Sequence, residues 1–345
     1  MSKLCKTVTV TILVIATMLS AVFGVFAAQS ISKTAVGKQK FVIGLEEANT
    51  DVINFLLIGT DKGGTRSDTI MLLSVDGYSN RVSILSIPRD TMVKPKGYTR
   101  QKINAAMGIG IEGVKSNKYN EPEELLIALV KQMTGLPIHY FATVNVDGFK
   151  DIIDALDGVD FNVPYNMNYD DPVQNLHIHL KKGYQHLDGQ AAHDFVRFRH
   201  NNGGSAPGEY ALGDIGRQYW QQEFVKEVVR QKAKPQYISR VDDLFEVISE
   251  NLETNYTLKE MTSKNHLSLA QRLDLQNIEA YQLPGEARYI SGVWWYIYDE
   301  DGTKKLVEDV FSRKSPEEWA VYKQEKRAEL TENNPVDSSE IQLGN

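Results

Sequence analysis

Arginine and aspartate residues recur at the ends of apolar runs in this chain. Asp61 and Asp68 flank a short glycine-containing loop that also holds Arg66, and Arg89 and Asp90 follow a later apolar run. Open α/β sheets bind ligands where strands end, and arginine recognises phosphate oxygens in bidentate fashion. Two aspartates on one loop could also hold a hard cation such as Mg²⁺. Because Asp and Gly are also the residues that ordinary turns prefer, the loop alone does not distinguish a site from a turn.

A second group of arginines lies further along the chain. The segment 195–200 alternates apolar and basic residues, which predicts a strand with Arg197 and Arg199 on one face, about 7 Å apart. Two guanidinium groups at that spacing could clamp one diphosphate, whereas the simpler interpretation is a basic, solvent-exposed strand face. Arg217 also lies in a glycine-containing segment, and buried arginines need anionic partners. The accumulation of arginines therefore favours an anion-binding site.

Composition limits the classes of function. The chain has 345 residues with 38 basic and 45 acidic side chains, a net charge of −7. This balance excludes the broad basic surface of a nucleic-acid-binding protein, but it allows a local arginine cluster. Cys5 is the only cysteine, so neither a disulfide within the chain nor a cysteine-based zinc site is possible. The length predicts about two domains, or one large domain with appendages.

The N-terminal region is predicted to be a membrane anchor. Residues 7–28 carry no charge and are mostly apolar, and about 20 such residues in a helix span the hydrocarbon core of a bilayer. Lys3 and Lys6 precede this stretch. The positive-inside rule therefore places residues 1–6 in the cytoplasm and the rest of the chain outside the cell, beyond a linker at 29–50. A cleaved signal peptide is the main alternative, although the apolar run is longer than usual for one.

The chain beyond the linker alternates between predicted strands and helices. Apolar runs bounded by turn residues predict strands at residues 51–59, 69–75, 82–87, 138–146, 278–283 and 293–298. Amphipathic spacing and cap signals predict helices at residues 121–133, 146–156, 213–232, 241–251 and 258–275. This alternation indicates an α/β fold of three layers, with a mostly parallel or mixed central sheet covered by helices on both faces. The polar composition of residues 313–345 predicts a disordered tail.

Six ordered segments resemble the LytR-CpsA-Psr (LCP) family. In this chain they are NFLLIGTD (54–61), RSDT (66–69), LSIPRDT (85–91), KINAA (102–106), VRFR (196–199) and GDIGRQYWQQ (213–222). The resemblance implies that residues 51–235 form the catalytic domain, with a C-terminal extension of helices and strands at 236–312 packed on it.

The family's activity implies a membrane-anchored enzyme in a Gram-positive type of envelope. LCP proteins take a glycopolymer (wall teichoic acid, capsule or similar) from an undecaprenyl diphosphate carrier and join it to peptidoglycan through a phosphodiester. The resemblance implies Mg²⁺ or Mn²⁺ as cofactor. It implies carrier-linked glycopolymer, peptidoglycan and membrane lipid as partners, with no nucleic acid.

The family's functional positions map onto individual residues of this chain. Asp61 and Asp68 match the metal-binding aspartates. The residues assigned to the diphosphate are Arg66, Arg89, Lys102, Arg197, Arg199 and Gln222 or its neighbour Gln221. The residues assigned to catalysis are Arg66, Arg89, Asp90 and Arg217, with Asp90 as candidate general base. The arginines are expected to stabilise the charge that develops on the leaving lipid phosphate.

Two other functions remain open. With water as acceptor, the same residues would make a polyprenyl-diphosphate pyrophosphatase. Without transfer activity, the protein would be a lipid-carrier-binding or regulatory protein. Apolar residues at 109–114, 125–133 and 152–156 either line a pocket for the polyprenyl tail or belong to ordinary core faces.

Two further patterns lie outside the motifs. His177 and His179 form a His-x-His pair that can bind zinc, but no third ligand stands at an obvious spacing. Trp294 and Trp295 either stack on sugars or pack in the interior, and packing is the more common use of such residues.

Overall fold

The computed structural model describes residues 52–232, 247, 250–256, 269, 272–275, 278–312 and 314–333. The predicted anchor and linker lie outside the described residues, as do most of the predicted helices at 241–251 and 258–275. Within the described part of the chain, no helix combines the length and the apolar character that crossing a bilayer requires.

The secondary structure alternates as the sequence predicts. The strands are β1 (Val52–Thr60), β2 (Ser67–Asp76), β3 (Arg81–Ser86), β4 (Met92–Val93), β5 (Gln101–Lys102), β6 (Tyr140–Asn145), β7 (Val159–Val163), β8 (Met167–Asp171), β9 (Leu176–Leu180), β10 (Gly183–Leu187), β11 (Leu252–Thr254), β12 (Glu279–Gln282), β13 (Gly285–Ile290) and β14 (Val293–Tyr298). The helices are α1 (Ala106–Lys115), α2 (Glu123–Thr134), α3 (Val146–Ala155), α4 (Gly189–Arg197), α5 (Asp214–Lys232), α6 (Glu300–Leu306) and α7 (Pro316–Asn333). Two 3₁₀ turns (Ile103–Ala105 and Gly208–Leu212) and a π-helical turn (Val307–Phe311) complete the described elements.

A six-stranded mixed sheet in the order β11-β6-β1-β2-β3-β12 forms the centre of the fold. The β1–β6 and β3–β12 pairs are parallel, whereas β11–β6, β1–β2 and β2–β3 are antiparallel. The prediction of a mixed sheet is therefore confirmed, but a mostly parallel sheet is wrong. The physical reason is the short connection at residues 77–80 between β2 and β3, because a parallel pair needs a crossover of a dozen or more residues.

Apolar side chains cover both faces of the central strands. On one face, Leu56 and Leu72 belong to a core that includes Leu126 of α2. On the other face, Phe55 belongs to a core that includes Val229 of α5. Strands buried on both faces explain the near-continuous apolar runs in the sequence.

The apolar side chains on the two faces of the sheet are together called the sheet core. A separate apolar core beside the sheet, called the second core, is built around Ile153 of α3, Phe195 of α4 and Phe224 of α5. The antiparallel pairs β7–β10 and β8–β9 contribute to it. Asn145 ends β6 and caps α3, since its side chain accepts a hydrogen bond from the N–H of Gly148 at 2.8 Å. The strand that reaches the edge of the sheet thus leads directly into a helix of the second core.

The C-terminal part of the chain is integral to the fold. β11 and β12, from the predicted extension at 236–312, are the two outermost strands of the central sheet. The disordered tail predicted from residue 313 is wrong for residues 316–333, which form α7. Trp319 of α7 is buried, and its ring centroid lies 3.5 Å from the guanidinium carbon of Arg81. One buried aromatic residue in a polar segment leaves a weak sequence pattern, which explains the error.

Candidate active site

One edge of the central sheet collects residues that are far apart in the sequence. β1 runs towards this edge and is followed by Asp61, while antiparallel β2 starts there with Asp68 as its second residue. β3 runs towards the same edge and leads to Arg89. β6 is parallel to β1 and ends at the same level, with Asn145 opposite Thr60. Strand pairing therefore places both aspartates and Arg89 at one edge.

Asp214, at the first position of α5, holds together an arginine cluster formed by Arg89, Arg199 and Arg217. Its Oδ1 lies 2.6 Å from Nη2 of Arg217, 3.1 Å from Nη2 of Arg199 and 3.6 Å from Nε of Arg89. Its Oδ2 accepts a hydrogen bond from Nε2 of Gln218 at 3.1 Å. Asp214 is not among the site residues predicted from the sequence. A carboxylate in the first turn of a predicted helix, three residues before an arginine, is nevertheless a recognisable signal of an ion pair.

The arginine cluster carries an excess of positive charge. Nη1 of Arg89 also pairs with Oδ1 of Asp68 at 2.5 Å, so three guanidinium groups share the two carboxylates of Asp68 and Asp214. Nε of Arg89 and Nε of Arg217 are buried and have no hydrogen-bond acceptor among the described residues. Buried donors without an acceptor are costly, and oxyanions are the partners that guanidinium groups bind most strongly. The cluster is therefore suited to bind an anion.

Burial and mutual pairing shift the pKa values within the cluster. Burial raises the pKa of the Asp214 carboxyl, but the three arginines outweigh it, so the net pKa is lowered. Burial lowers the pKa of Arg217 to about 10 despite the attraction of Asp214. Burial and then the like charge of Arg89 lower the pKa of Arg199. For Arg89, burial also acts to lower the pKa, but the nearby carboxylates of Asp214 and Asp68 outweigh it and raise the pKa. The arginines remain charged at neutral pH.

The segment that contains Arg197 and Arg199 is the end of a helix, so the predicted strand is wrong. The N-cap of α4 is Asp188, whose side chain accepts a backbone N–H of the first turn at 2.8 Å, and the helix ends at Arg197. Nη2 of Arg197 donates to Oε1 of Gln174 at 3.0 Å, while Arg199 joins the arginine cluster. The two side chains therefore do not form the predicted two-arginine strand face. The cap and the buried face of α4 outweigh a short apolar–basic alternation.

Asp61 organises the loop between β1 and β2. Its Oδ1 accepts the backbone N–H of Thr65 at 2.8 Å and that of Arg66 at 3.1 Å. The Arg66 side chain is exposed and forms no ion pair with any residue that the structure describes. Arg66 is therefore separate from the arginine cluster, in contrast to Arg89, Arg199 and Arg217 of the matching motifs.

The donor set of Asp61 and Asp68 fits a magnesium ion that arrives with a phosphorylated ligand. Across the described ranges, no group of three or more His, Cys, Asp or Glu side chains is placed to hold a metal ion by itself. Mg²⁺ commonly takes one or two carboxylates from the protein and completes its shell with phosphate oxygens and water. Both aspartates line the same cavity, which satisfies the requirement for two carboxylates beside the ligand.

Asp90 and Lys102 form an ion pair next to the arginine cluster. Nζ of Lys102 lies 2.7 Å from Oδ1 of Asp90. The β4–β5 pairing, with Lys102 opposite Met92, brings the lysine to this position. Neither side chain lines the cavity, although Asp90 directly follows Arg89, which does.

The two candidate glutamines of α5, Gln221 and Gln222, lie in different environments. Gln221 lines the cavity and donates through Nε2 to the carbonyl of Val196 at 2.9 Å. Gln222 is buried, and its Nε2 donates to Oγ of Ser86 and to the carbonyl of Tyr281, both at 2.7 Å. Gln222 thus ties α5 to the central sheet, and the cavity position falls to Gln221.

A cavity of about 890 Å³ lies where the central sheet meets the second core. Its polar lining includes Asp61, Asp68, Arg89, Arg197, Arg199, Arg217 and Gln221. Its apolar lining includes Leu57, Met71, Ala142, Phe149, Ile152, Ile153, Phe224 and Leu252. Of the three segments considered for a lipid pocket, 152–156 contributes two lining residues. Apolar side chains of 109–114 and 125–133 pack instead in the core beneath α1 and α2.

The His-x-His pair lies on the exposed face of the β8–β9 hairpin. Nδ1 of His177 lies 2.6 Å from Oδ1 of Asp170, and Nε2 of His179 lies 3.2 Å from the same oxygen. Nδ1 of His179 also lies 2.7 Å from Oδ1 of Asn168. These contacts hold the two strands together at a surface that is separate from the cavity lining.

Comparison with known proteins gives consistent results. A family model described as the LytR_cpsA_psr family matches residues 20–311. The polyisoprenyl-teichoic acid–peptidoglycan teichoic acid transferase TagU of Bacillus mycoides (strain KBAB4) is 32% identical over 291 residues, which cover 80% of this chain and 86% of that protein. The crystal structure of B. subtilis TagV matches with a TM-score of 0.60 and 26% identity, covering 77% of this chain and 100% of that chain. The structure of TagT bound to LI-WTA has the same fold, with a TM-score of 0.56 and 23% identity, covering 81% of this chain and 100% of that one.

Proposed function

The chain belongs to the LytR_cpsA_psr family, and we propose that it transfers a phosphate-linked glycopolymer, such as wall teichoic acid, from a polyprenyl diphosphate carrier to peptidoglycan. The name of its relative TagU describes a transferase of this kind. The observation that carries the proposal is a single cavity that combines an arginine cluster with a large apolar lining. This combination matches a donor that has a diphosphate and a hydrocarbon chain in one molecule.

The arginine cluster binds the diphosphate of the donor. Three guanidinium groups share only two carboxylates, and Arg89, Arg199 and Arg217 all line the cavity, so the excess positive charge attracts phosphate oxygens. Arg197 and Gln221 line the same cavity and add further donors. The polyprenyl chain occupies the apolar part, where its burial is favourable by about 25 cal/mol per Å² of apolar surface.

The reaction is a displacement at phosphorus. A hydroxyl oxygen of peptidoglycan forms a bond to the phosphorus that carries the glycopolymer, and the bond from this phosphorus to the bridging oxygen breaks. Polyprenyl phosphate leaves with the electron pair, and the cluster neutralises the charge that develops on it. Asp90 directly follows Arg89 but lies outside the cavity lining and pairs with Lys102, and it remains the candidate general base for the proton of the hydroxyl group.

Asp61 and Asp68 hold Mg²⁺ (or Mn²⁺) in this proposal. The bound ion would supply charge neutralisation at the phosphate oxygens. Asp61 keeps its position through the backbone N–H groups of its own loop, and Asp68 keeps its position through Arg89. Loss of either aspartate is therefore expected to disturb the loop or the cluster as well as the metal site.

The cellular location is part of the proposal. In this proposal the apolar segment 7–28 anchors the protein in the cell membrane, with residues 1–6 in the cytoplasm and the catalytic domain outside the cell. The apolar, uncharged composition of this segment and the two lysines before it support this topology. It places the cavity in the compartment that contains peptidoglycan.

The test is transfer by the full-length protein in detergent, with a polyprenyl-diphosphate-linked glycopolymer as donor and peptidoglycan as acceptor. Substitution Arg199→Ala removes one donor to the developing charge, so kcat should fall by about 10²–10³-fold. Arg230→Ala, also an arginine-to-alanine change but outside the cavity lining, is the matched control and should retain activity.

The products distinguish transfer from the alternatives. Polymer linked to peptidoglycan together with polyprenyl phosphate supports the proposal. Free polymer released at the same rate with and without peptidoglycan would instead indicate a pyrophosphatase. Tight donor binding with no product of either kind would indicate a carrier-binding protein.

A further inference from the structure

The β13–β14 hairpin presents an aromatic pair to solvent. Tyr289 and Trp294 face each other across the two strands, with ring centroids 5.3 Å apart, and they are 62% and 59% exposed. The interior packing expected of Trp294 is therefore wrong. Exposed aromatic surface of this size is typical of a recognition site, because each ring offers a large apolar area at a small loss of conformational freedom.

The turn of the hairpin fixes the two rings in register. Ser291 and Gly292 connect the strands with φ values of 53° and 84°. Positive φ at both central positions is the type I′ geometry, whose twist matches that of two antiparallel strands. The pair is consequently held on a regular ladder.

The hairpin leaves the central sheet at the edge that carries the arginine cluster. β12 is parallel to β3, with Gln282 opposite Ser86. Beyond these positions, β3 leads to Arg89 and β12 leads into β13. The hairpin and the arginine therefore emerge side by side.

A direct contact fixes β14 beside the arginine-bearing segment. The N–H of Tyr296 donates to the carbonyl of Asp90 at 2.9 Å, and Tyr296 forms a parallel bridge with Thr91. Tyr296 of β14 is thus next to Asp90 and Thr91, the two residues that directly follow Arg89 of the cavity lining.

We propose that the Tyr289–Trp294 pair binds the glycan strand of the peptidoglycan acceptor. This proposal rests on the proposed function: because the donor fills the cavity, the acceptor hydroxyl must approach from outside it, and the hairpin that carries the pair contacts the segment that directly follows Arg89. Aromatic rings stack on the apolar faces of sugar rings, and a stacked strand would present its hydroxyl groups at a fixed distance from the cluster. The exposed ion pair of Glu286 and Arg288 on the same hairpin favours this occupant over the interior of a bilayer.

The first experiment measures binding of a soluble glycan strand of alternating N-acetylglucosamine and N-acetylmuramic acid to the full-length protein in detergent. Isothermal titration should show binding to the wild type and about tenfold weaker binding to the double variant Tyr289→Ala/Trp294→Ala. Trp294→Phe keeps an aromatic face and should retain most of the affinity. Tyr184→Ala removes a tyrosine that is 75% exposed on strand β10 and should change nothing.

The kinetic experiment separates acceptor binding from a general loss of structure. In the transfer reaction, the double variant should raise KM for the acceptor by about tenfold and leave KM for the donor unchanged. Equal acceptor binding and equal acceptor KM in wild type and double variant would overturn the inference while leaving the proposed function intact. Glycan binding through the pair in a protein that catalyses no transfer would reject the proposed function and retain the binding site.

A bilayer is the competing occupant, and lipid quenching tests it. The full-length protein is reconstituted in vesicles of brominated phosphatidylglycerol, and the fluorescence of the wild type is compared with that of Trp294→Phe. If both lose the same fraction of their emission, Trp294 lies outside the bilayer, as the inference requires. Strong quenching that disappears with Trp294→Phe would show that the hairpin inserts into lipid and would overturn the inference.

Discussion

Asp214 shows how one carboxylate can position three arginines. A buried guanidinium group needs a nearby negative charge. One carboxylate for every arginine, however, would neutralise the cluster and leave no positive charge to attract an anionic ligand. Asp214 contacts all members of the arginine cluster through the same oxygen, at 2.6–3.6 Å, so each arginine is held without being fully neutralised. We interpret Asp214 as a positioning residue, because it acts on the phosphate through the arginines.

Replacement of Asp214 by asparagine should lower both stability and transfer. Removing the charge leaves three guanidinium groups with one carboxylate, and breaking a buried pair in this way costs about 3 kcal/mol in the free energy of unfolding. Chemical denaturation at pH 7 measures the loss. Asp160→Asn, which affects an exposed carboxylate paired with His186, is the matched control and should unfold like the wild type.

The pH dependence of this difference has a defined sign. The pKa of Asp214 is lowered in the folded protein, because the three arginines outweigh burial. Its stabilising contribution is therefore complete above the unfolded pKa of about 3.9 and is lost as the pH falls through the lower folded pKa. The gap in unfolding free energy between wild type and Asp214→Asn should shrink on going from pH 7 to pH 2.5. A constant gap would show that the effect does not depend on the charge.

At the residue scale, the site residues that lie at strand ends were predictable from the sequence. The contacts of the residue that begins helix α5 were not. Asp61, Asp68 and Arg89 follow from apolar runs whose ends are visible in the sequence. Asp214 belongs to a helix that meets the sheet edge only through tertiary packing, so the local pattern indicates its contact with Arg217, three residues on, but not its contacts with Arg89 and Arg199. Arg66 is the converse case, since it stands in a matching motif while its side chain is exposed and is not part of the cavity lining.

At the scale of elements, α5 has two functions on two of its faces. Adjacent residues of a helix point about 100° apart, so Gln221 and Gln222 cannot share one environment. Gln221 reaches the cavity, whereas Gln222 bonds to Ser86 of β3 and Tyr281 of β12. The helix thereby joins the two parallel strands that lead to Arg89 and to the aromatic hairpin.

Alanine substitution of the two glutamines should separate these functions. Gln222→Ala leaves a buried hydroxyl and a buried carbonyl without their donor, so the free energy of unfolding should fall by about 1–3 kcal/mol. Gln221→Ala removes a donor from one partner, the carbonyl of Val196, so stability should fall by less than in Gln222→Ala, while kcat/KM should fall by about tenfold, equivalent to about 1.4 kcal/mol. Thermal unfolding and steady-state transfer of both variants provide the measurements. The reverse assignment of effects would contradict the placement of α5.

Elements with strong periodicity were predictable, and short ambiguous ones were not. The sequence predicted residues 293–298 as a strand, and β14 has these bounds. The end of helix α4 resembles a strand in the sequence because residues 196–199 alternate between apolar and basic side chains, while the N-cap of the helix, Asp188, lies well upstream. The sequence predicts more parallel strand pairs than the structure contains. The reason is that β1, β2 and β3 are apolar on both faces, and strands of a parallel sheet have the same near-continuous apolar sequence.

At the scale of the whole molecule, the cavity is a consequence of two cores that meet along one sheet. Its lining combines Met71 from the sheet, Ile153 from the second core and Phe224 from the helix between them. No single sequence segment contains this surface, so the apolar runs at 109–114 and 125–133 were plausible candidates that turned out to be core. The lining of a lipid pocket is decided by how cores fit together, and it has no local sequence signature.

The C-terminal helix α7 stabilises the whole molecule, although it lies far along the chain from the six motif segments at 54–222. Trp319 of α7 is buried against the guanidinium of Arg81, whose Nη2 also donates to the carbonyl of Val310 at 3.3 Å. Lys323, one turn later, pairs with Glu279 of β12 at 2.5 Å. α7 thus contacts the beginning of β3 and the outermost strand β12, the two strands that lead to the arginine cluster and to the hairpin.

Trp319→Ala should therefore destabilise the whole catalytic domain, which a disordered tail would not do. Truncating a buried tryptophan costs about 3–5 kcal/mol, and a domain of this size loses about 2–4 °C in Tm per kcal/mol. Val321→Ala on the same helix removes a side chain that is 53% exposed and should shift Tm by much less. Calorimetry of the full-length variants measures both values. If the Trp319→Ala variant unfolds at the wild-type temperature, α7 does not contribute to the stability of the sheet. If the variant unfolds in one transition at a lower temperature, the C-terminal helix and the candidate active site belong to a single cooperative unit.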